Sequence, residues 1–248
     1  MRTSKKLIIT LSIVGLIFLG LFFINNSQID RVSKNNSSKI VNTKTQSLEE
    51  ILYSSKEIKL EKKILSFRKH YYIFSDGVLV GEVKGKMFPL FGDTLELRDV
   101  KGNLIKREKQ IKRFGLTQEK LFNVSFDRLA KVEDSNKKLT GYIGEEKLKD
   151  FWKVNHILYF YDENFSKIGK ARPDFFILSK DYKVFDKDNN IDYVIDGNIF
   201  SLTSKYTINI KDNSDIDVED VIFYTIIENS IINSKTTSST KSTPKKSK

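Results

Sequence analysis

The chain contains no cysteine in its 248 residues. That excludes disulfides, thiolate metal sites and a lipid-modified N-terminal cysteine. Cysteine-free chains occur on both sides of membranes, so this absence leaves the compartment open. Histidine is nearly absent too: His70 and His156 are the whole supply. Two isolated histidines with no cysteine offer no metal-ligand spacing, so ordinary strand packing is their reading. Proline occurs three times against ten tyrosines and eighteen phenylalanines, a balance that favours strands over long helices. With 39% hydrophobic and 30% charged residues, the composition is that of a globular protein with a sizeable core. The length fits one large domain with appendages better than two domains.

Basic charge is unevenly placed. The net charge of +11 suggests a nucleic-acid partner until it is located. Arg2, Lys5 and Lys6 hold three charges ahead of the first apolar run, and Lys235, Lys241, Lys245, Lys246 and Lys248 hold five at the other end. Taking those eight away leaves +3 for residues 7–234. No dense basic stripe remains, and no nucleic-acid partner is expected.

Residues 7–24 read LIITLSIVGLIFLGLFFI, with only Thr10 and Ser12 polar. Eighteen helical residues reach roughly 27 Å, close to the hydrocarbon thickness of a bilayer. A cleaved signal has a shorter apolar core, about 7–15 residues, ending in small residues. Here Phe22, Phe23, Ile24, Asn25 and Asn26 follow instead. The run also has no polar face, which argues against a buried helix of a soluble protein. The expectation is a single-pass signal-anchor in a cell membrane. By the positive-inside rule the N-terminus is cytoplasmic and the domain extracytoplasmic.

Four segments follow from the patterning. Residues 1–24 are the cytoplasmic stub and anchor, and 25–61 a flexible stalk rich in Asn, Ser and Lys. Within the stalk, Ser47-Leu48-Glu49-Glu50 is a capping-box pattern that predicts a short helix around 48–60. Residues 62–234 form the domain, and 235–248 a disordered basic tail. In the domain, short β-branched and aromatic runs alternate with turn clusters at Ser75–Gly77, Asp99–Asn103, Asp162–Asn164, Asp186–Asn190 and Asp196–Asn198. Closely spaced hairpins with no long helix between them predict an antiparallel barrel or sandwich. One segment differs: residues 218–232 carry apolar side chains on nearly every side of a helix. Such a helix must be enclosed by protein or membrane, and its length and acids Glu219, Asp220 and Glu228 favour protein.

Three stretches carry a resemblance. Tyr72–Gly77, Val80–Gly85 and Gly92–Asp99 look like the opening hairpins of the tubby C-terminal-like superfamily, nearest its LURP-one-related group and bacterial relatives. Asp99–Asn103 followed by Ile105 fits that group's turn, and Lys205–Ile210 its closing strand. The similarity covers roughly residues 62–234, on strand and turn patterns rather than a catalytic signature. It implies a mainly β fold: a closed antiparallel β-barrel of about twelve strands around the hydrophobic C-terminal helix. Phospholipid scramblases share that fold, and some eukaryotic relatives bind phosphoinositide head groups through basic residues.

The remaining motifs carry little chemistry. Asp186–Asp192 resembles the start of a calcium loop, but Ile191 and Gly197 stand where an EF-hand needs Gly and Glu, so a hairpin turn is the better reading. Gly81–Gly85 lacks the ending of a phosphate loop, and Ser125 and Ser179 lack a nucleophile elbow. Neither catalytic residues nor a cofactor are expected. Lys106, Arg107, Lys109, Lys112 and Arg113, interleaved with Ile105, Ile111 and Phe114, are the candidate anionic-surface site; a solvated strand face is the alternative. The expected function is a membrane-anchored, non-enzymatic binding or scaffold module whose partner is an anionic phospholipid or cell-surface polyanion. The competing expectation is a phospholipid-binding or scramblase-like lipid-handling protein.

Overall fold

The computed structural model describes residues 46–64, 66, 68–86, 94–111, 126–146, 157–173, 181–198, 204–211 and 214–239, with the single positions 12 and 20. A short helix α1 (Leu48–Ser54) precedes twelve strands. These are β1 (Glu57–Lys62), β2 (His70–Ser75), β3 (Val78–Gly85), β4 (Thr94–Asp99), β5 (Leu104–Gln110) and β6 (Phe126–Asp134). Then come β7 (Leu139–Glu146), β8 (Leu158–Asp162), β9 (Lys167–Pro173), β10 (Tyr182–Asp186), β11 (Ile191–Asn198) and β12 (Lys205–Ile210). A long helix α2 (Val218–Ser239) ends the described chain.

Every strand pairs antiparallel with its sequence neighbours, and β1 pairs with β12 through Ile58↔Ile208 and Leu60↔Tyr206, which closes the barrel. Closure removes the unpaired edges that an open sheet exposes. Alternation then sends one set of side chains inward: Ile58, Leu60, Ile73, Leu95, Leu97, Val184, Ile195 and Ile208 are fully buried. The closed twelve-strand barrel around a C-terminal helix is the architecture that the resemblance implies.

The interior is filled by α2. Val218, Val221, Ile222, Phe223, Tyr224 and Ile226 are all exposed by 1% or less, on every side of the helix. Tyr224 meets Phe160 and Tyr182 edge-on, with ring centroids 5.9 Å away in each case. The Thr225 hydroxyl donates to the Val221 carbonyl at 2.8 Å and so needs no partner in the wall. The helix outruns the expected 218–232 and enters the expected tail, reaching Ser239. No Gly or Pro interrupts residues 235–243, and an established helix extends at one bond per residue.

At the start of the chain the expected boundaries shift. Ser47 caps α1 in the expected reciprocal box, its side chain accepting from the Glu50 N–H while Glu50 accepts from the Ser47 N–H. The helix stops at Ser54 rather than near 60. Residues 57–62 alternate with a period of two, and as β1 they complete the ladder between β2 and β12. The barrel therefore begins at Glu57, not at 62. Leu48 and Leu52 are buried in its core cluster, so α1 belongs to the domain rather than to a stalk. Ser12 and Gly20 are helical and exposed. The rest of the expected anchor over 7–24 lies outside the described residues, as do residues 25–45 and 240–248. Among the described residues no helix is long and apolar enough to cross a membrane.

The two ends of the barrel differ. At one end the strands join through turns of two or four residues. Four of these turns share one design, led by Asp99, Asp134, Asp162 and Asp186. In each, the Asp N–H donates to the carbonyl four residues on, and its carboxylate accepts the N–H from that same residue. The residue after the type I bend is left-handed: Gly102, Lys137, Phe165 and Asn189 have φ of 88°, 69°, 66° and 68°. Phe165 is held there by stacking on Tyr161 at 4.4 Å. At the opposite end the connections run from six to fifteen residues. The chain enters α2 at the short-turn end, and α2 leaves through the long-connection mouth.

Two sets of substitutions test this frame by thermal melting. Ile226→Ala is expected to cost about 2–5 kcal/mol, and Ile226→Asp to abolish cooperative folding, because an apolar barrel holds no partner for a charge. Lys137→Gly should raise Tm slightly, about 0.5–1 kcal/mol, by relieving a left-handed lysine. Phe165→Gly should lower it, since the stacking is lost.

Candidate functional site

The period of β5 divides the expected basic cluster. Lys106 points into the barrel, while Arg107 and Lys109 point out; Lys112 and Arg113 lie outside the described residues. The Lys106 side chain is 8% exposed, with Nζ 2.8 Å from Asp217 Oδ2 and 2.7 Å from Asp220 Oδ1. Burial pushes the lysine pKa down, but Asp220, Asp217 and Glu219 outweigh it and hold the ammonium charged. Asp217 also accepts from Tyr53 Oη at 2.8 Å, so one carboxylate joins α1, β5 and the start of α2. Lys106 is therefore a tie for the plug at the short-turn end. On the outer wall, Arg107 reaches Glu96 Oε1 through Nε at 3.2 Å and Nη2 at 2.9 Å, while Arg98 takes Glu96 Oε2 at 2.6 Å. Lys109 is exposed beside Lys131. Arg68, Lys84, Lys86 and Arg98 line an open groove along β3 and β4, with Glu96 among them.

Glu219 sits in the first turn of α2, 3% exposed, and its Oε2 has no hydrogen-bond partner among the described residues. Burial raises its pKa to about 7, with Lys106 opposing and Asp217 and Asp220 adding to the rise. Glu219 and Asp220, both in the first turn of α2, suit the positive end of its dipole. Closing the barrel buries both, which only the fold reveals.

The long-connection mouth holds a cavity of about 70 Å³ between α2 and the wall. Its apolar lining is Leu129, Ala130, Ile143, Leu158 and Ile227, and its polar lining is Lys69, Glu108, Gln110 and Arg128. Glu108 is 2% exposed and stands two residues beyond Lys106 on the inward face of β5. Arg128 is placed by a register shift in β6 between Phe126 and Arg128, the kind of rim irregularity that re-aims a side chain. Its side chain is 38% exposed, with Nε 3.6 Å from Glu145 Oε2. A concave, mostly apolar site with a few convergent charges is suited to holding a small molecule. No single stretch of sequence announces it. Its charges come from β5, β6 and the β1–β2 connection, and alternation on β5 and β6 is the one signal that turns Glu108 and Arg128 inward.

No family model matches the chain, and no curated protein matches it. Among solved structures, the X-ray structure of a protein from Arabidopsis thaliana is similar at 15% identity and a TM-score of 0.42. The match covers 75% of this chain and 98% of that one. A likeness of that size carries no argument about what this chain binds.

Glu219 generates a pH prediction. Its folded pKa of about 7 exceeds the ordinary 4.5, so between those values the folded state holds more of the proton. Stability from this group is therefore full below about pH 4.5 and falls as pH rises through 7, by about 3 kcal/mol at most. Glu219→Gln is expected to be more stable than the parent at pH 8, with the advantage shrinking towards pH 5. Urea unfolding at both pH values measures this, and parallel profiles would remove the assignment.

Proposed function

We propose that the chain is a membrane-tethered, non-enzymatic binding module of the tubby C-terminal-like, LURP-one-related type. Its barrel is held outside the membrane by the helix over 7–24, and its ligand-binding face is the long-connection mouth. The observation that carries this reading is the mouth itself. Six connections of six to fifteen residues stand at this end, and three of them, β1–β2, β5–β6 and β7–β8, flank one cavity, on a barrel whose other end is tied down by Tyr53, Lys106 and Asp217. Variable loops on a rigid frame with a preformed pocket are the usual construction of a binding site. Polarity supports the tether. The chain reaches β1 through α1 at the short-turn end, so a membrane-side N-terminus leaves the mouth facing away from the bilayer.

A second reading, anionic lipid binding at the wall, is favoured by the groove of Arg68, Lys84, Lys86 and Arg98. Its charge should act together with Arg107 and Lys109. Lys106 takes no part, because it is buried and paired.

The test uses the full-length protein in detergent micelles. A thermal-shift screen of small molecules should yield binders that Ile227→Trp, which fills the cavity, no longer binds. Vesicles of phosphatidylcholine with and without phosphatidylglycerol should bind it equally. Salt-sensitive capture by the anionic vesicles, lost when Arg107 and Lys109 are neutralised, would replace the mouth reading with the wall. Protease added to cells with the wall removed should digest the domain, and full protection would reverse the orientation.

A further inference from the structure

We propose that the open groove of about 410 Å³ along β3 and β4 takes a linear polyphosphodiester, a chain of short polyol units joined by phosphates. The proposal is independent of the mouth cavity, and it gives the groove an occupant other than a lipid surface.

Strand register sets out the cations. Outward side chains recur every second residue, and the pairs Lys84↔Glu96 and Glu82↔Arg98 fix their levels. The Gly85 N–H donates to the Lys69 carbonyl at 2.7 Å, which carries the ladder one step on and brings Arg68 beside Lys86 at the head of the groove. Three rungs result. Arg68 and Lys86 stand nearest the mouth, Lys84 stands in the middle with Arg107 across Glu96, and Arg98 stands towards the short-turn end. Steps of two residues place the rungs roughly 7 Å apart, so the cations are strung over roughly 14 Å.

Charge then favours an anion. Glu82 pairs with Lys84, and Glu96 pairs with Arg98 and Arg107, so both acids are covered. Arg68 and Lys86 are exposed, and their side chains make no ion pair or hydrogen bond among the described residues. Five cations against two acids leave a surface of one sign, which draws an anion to it.

Spacing selects the occupant. A single phosphate cannot span the three rungs, whereas a chain with one charge per rung can. Three backbone bonds of an extended chain advance about 3.3–3.6 Å, so a repeat of six bonds advances roughly 7 Å. Glycerol phosphate is such a repeat, with one phosphorus, two ester oxygens and three carbons. An extended acidic peptide has a similar step, but its backbone N–H groups seek a strand edge, and the closed barrel has none. Single-stranded nucleic acid is held on aromatic platforms, and no described lining residue of the groove is aromatic. A bilayer is flat and bridges a recess without filling it.

Calorimetric titration of the full-length protein in non-ionic micelles tests this, with a synthetic oligo(glycerol phosphate) as the probe. Binding is expected, and log K should fall against log salt with a slope of roughly −2, about 0.7 for each rung. Arg68→Gln combined with Lys86→Gln removes one rung of exposed, unpaired charge. It should weaken binding about tenfold and flatten the slope by about 0.7. Lys138→Gln combined with Lys187→Gln removes the same charge from two short turns and should change neither. Ile227→Trp should leave the oligomer bound, so this proposal and the mouth reading fail separately. Glycerol 1-phosphate should not compete at equal phosphate concentration. No binding overturns the proposal, and an equal loss in the Lys138 and Lys187 variant does so too, by reducing the attraction to net charge. Equal competition by the monomer overturns the need for a chain. A peptide of alternating Glu and Ser, or oligothymidylate, binding as tightly as the oligomer overturns the polyol phosphate class. Capture by phosphatidylglycerol vesicles that the Arg68 and Lys86 variant loses would give the groove to a lipid surface instead.

Discussion

A helix that is apolar on every side cannot rest on a surface, and the rest of this structure answers that constraint. Val221 to Tyr224 are four successive residues that all exclude water. A single sheet or a helical neighbour would cover one flank and leave the others wet. A closed antiparallel barrel covers all of them at once, and twelve strands give a bore wide enough for a helix about 10 Å across. The same closure leaves no strand edge open. Plug and barrel are thus one solution: the wall lacks a core without α2, and α2 lacks a solvent-free seat without the wall.

Charges inside such a barrel can stand only near its ends. Lys106 and Glu108 are inward neighbours on β5, two residues apart, and they serve opposite ends. Lys106 reaches the first turn of α2 and meets Asp217 and Asp220. Glu108 lines the cavity where α2 leaves. The entry end therefore spends its buried charge on fixing the plug, with Tyr53 of α1 joined to the same Asp217. Glu219, the acid left over in that turn, has its pKa raised by burial beside these carboxylates.

What could be read from the sequence follows the range of each signal. Asp99–Asn103 and Asp186–Asn190 are legible as turns because an Asx side chain bonds within five residues. The Ser47 box is equally local, and the all-round apolar helix announces its own burial. Residues 57–60 are misread as helix because Leu48, Ile51 and Leu52 start a helical period that the next apolar residues, Ile58 and Leu60, do not contradict until β12 is known to lie beside them. The basic run from Lys106 to Arg113 reads as one patch in sequence. In the fold Lys106 is turned away from Arg107 and Lys109, and its partners lie 111 and 114 positions on. The cavity is illegible for the same reason: Lys69, Glu108, Arg128 and Ile227 meet only after the barrel has closed.

The unequal ends also decide where variation is affordable. Four short turns repeat one Asp-led geometry and accept little change in length, because the carboxylate must reach the N–H four residues on. The connections at the mouth differ in length more than twofold. A frame of this kind can keep its plug, its tie at Lys106 and its hairpins while the surroundings of one cavity change. Selectivity would then come from which residues flank Glu108 and Arg128, with the charges themselves supplied by strands that the fold cannot do without.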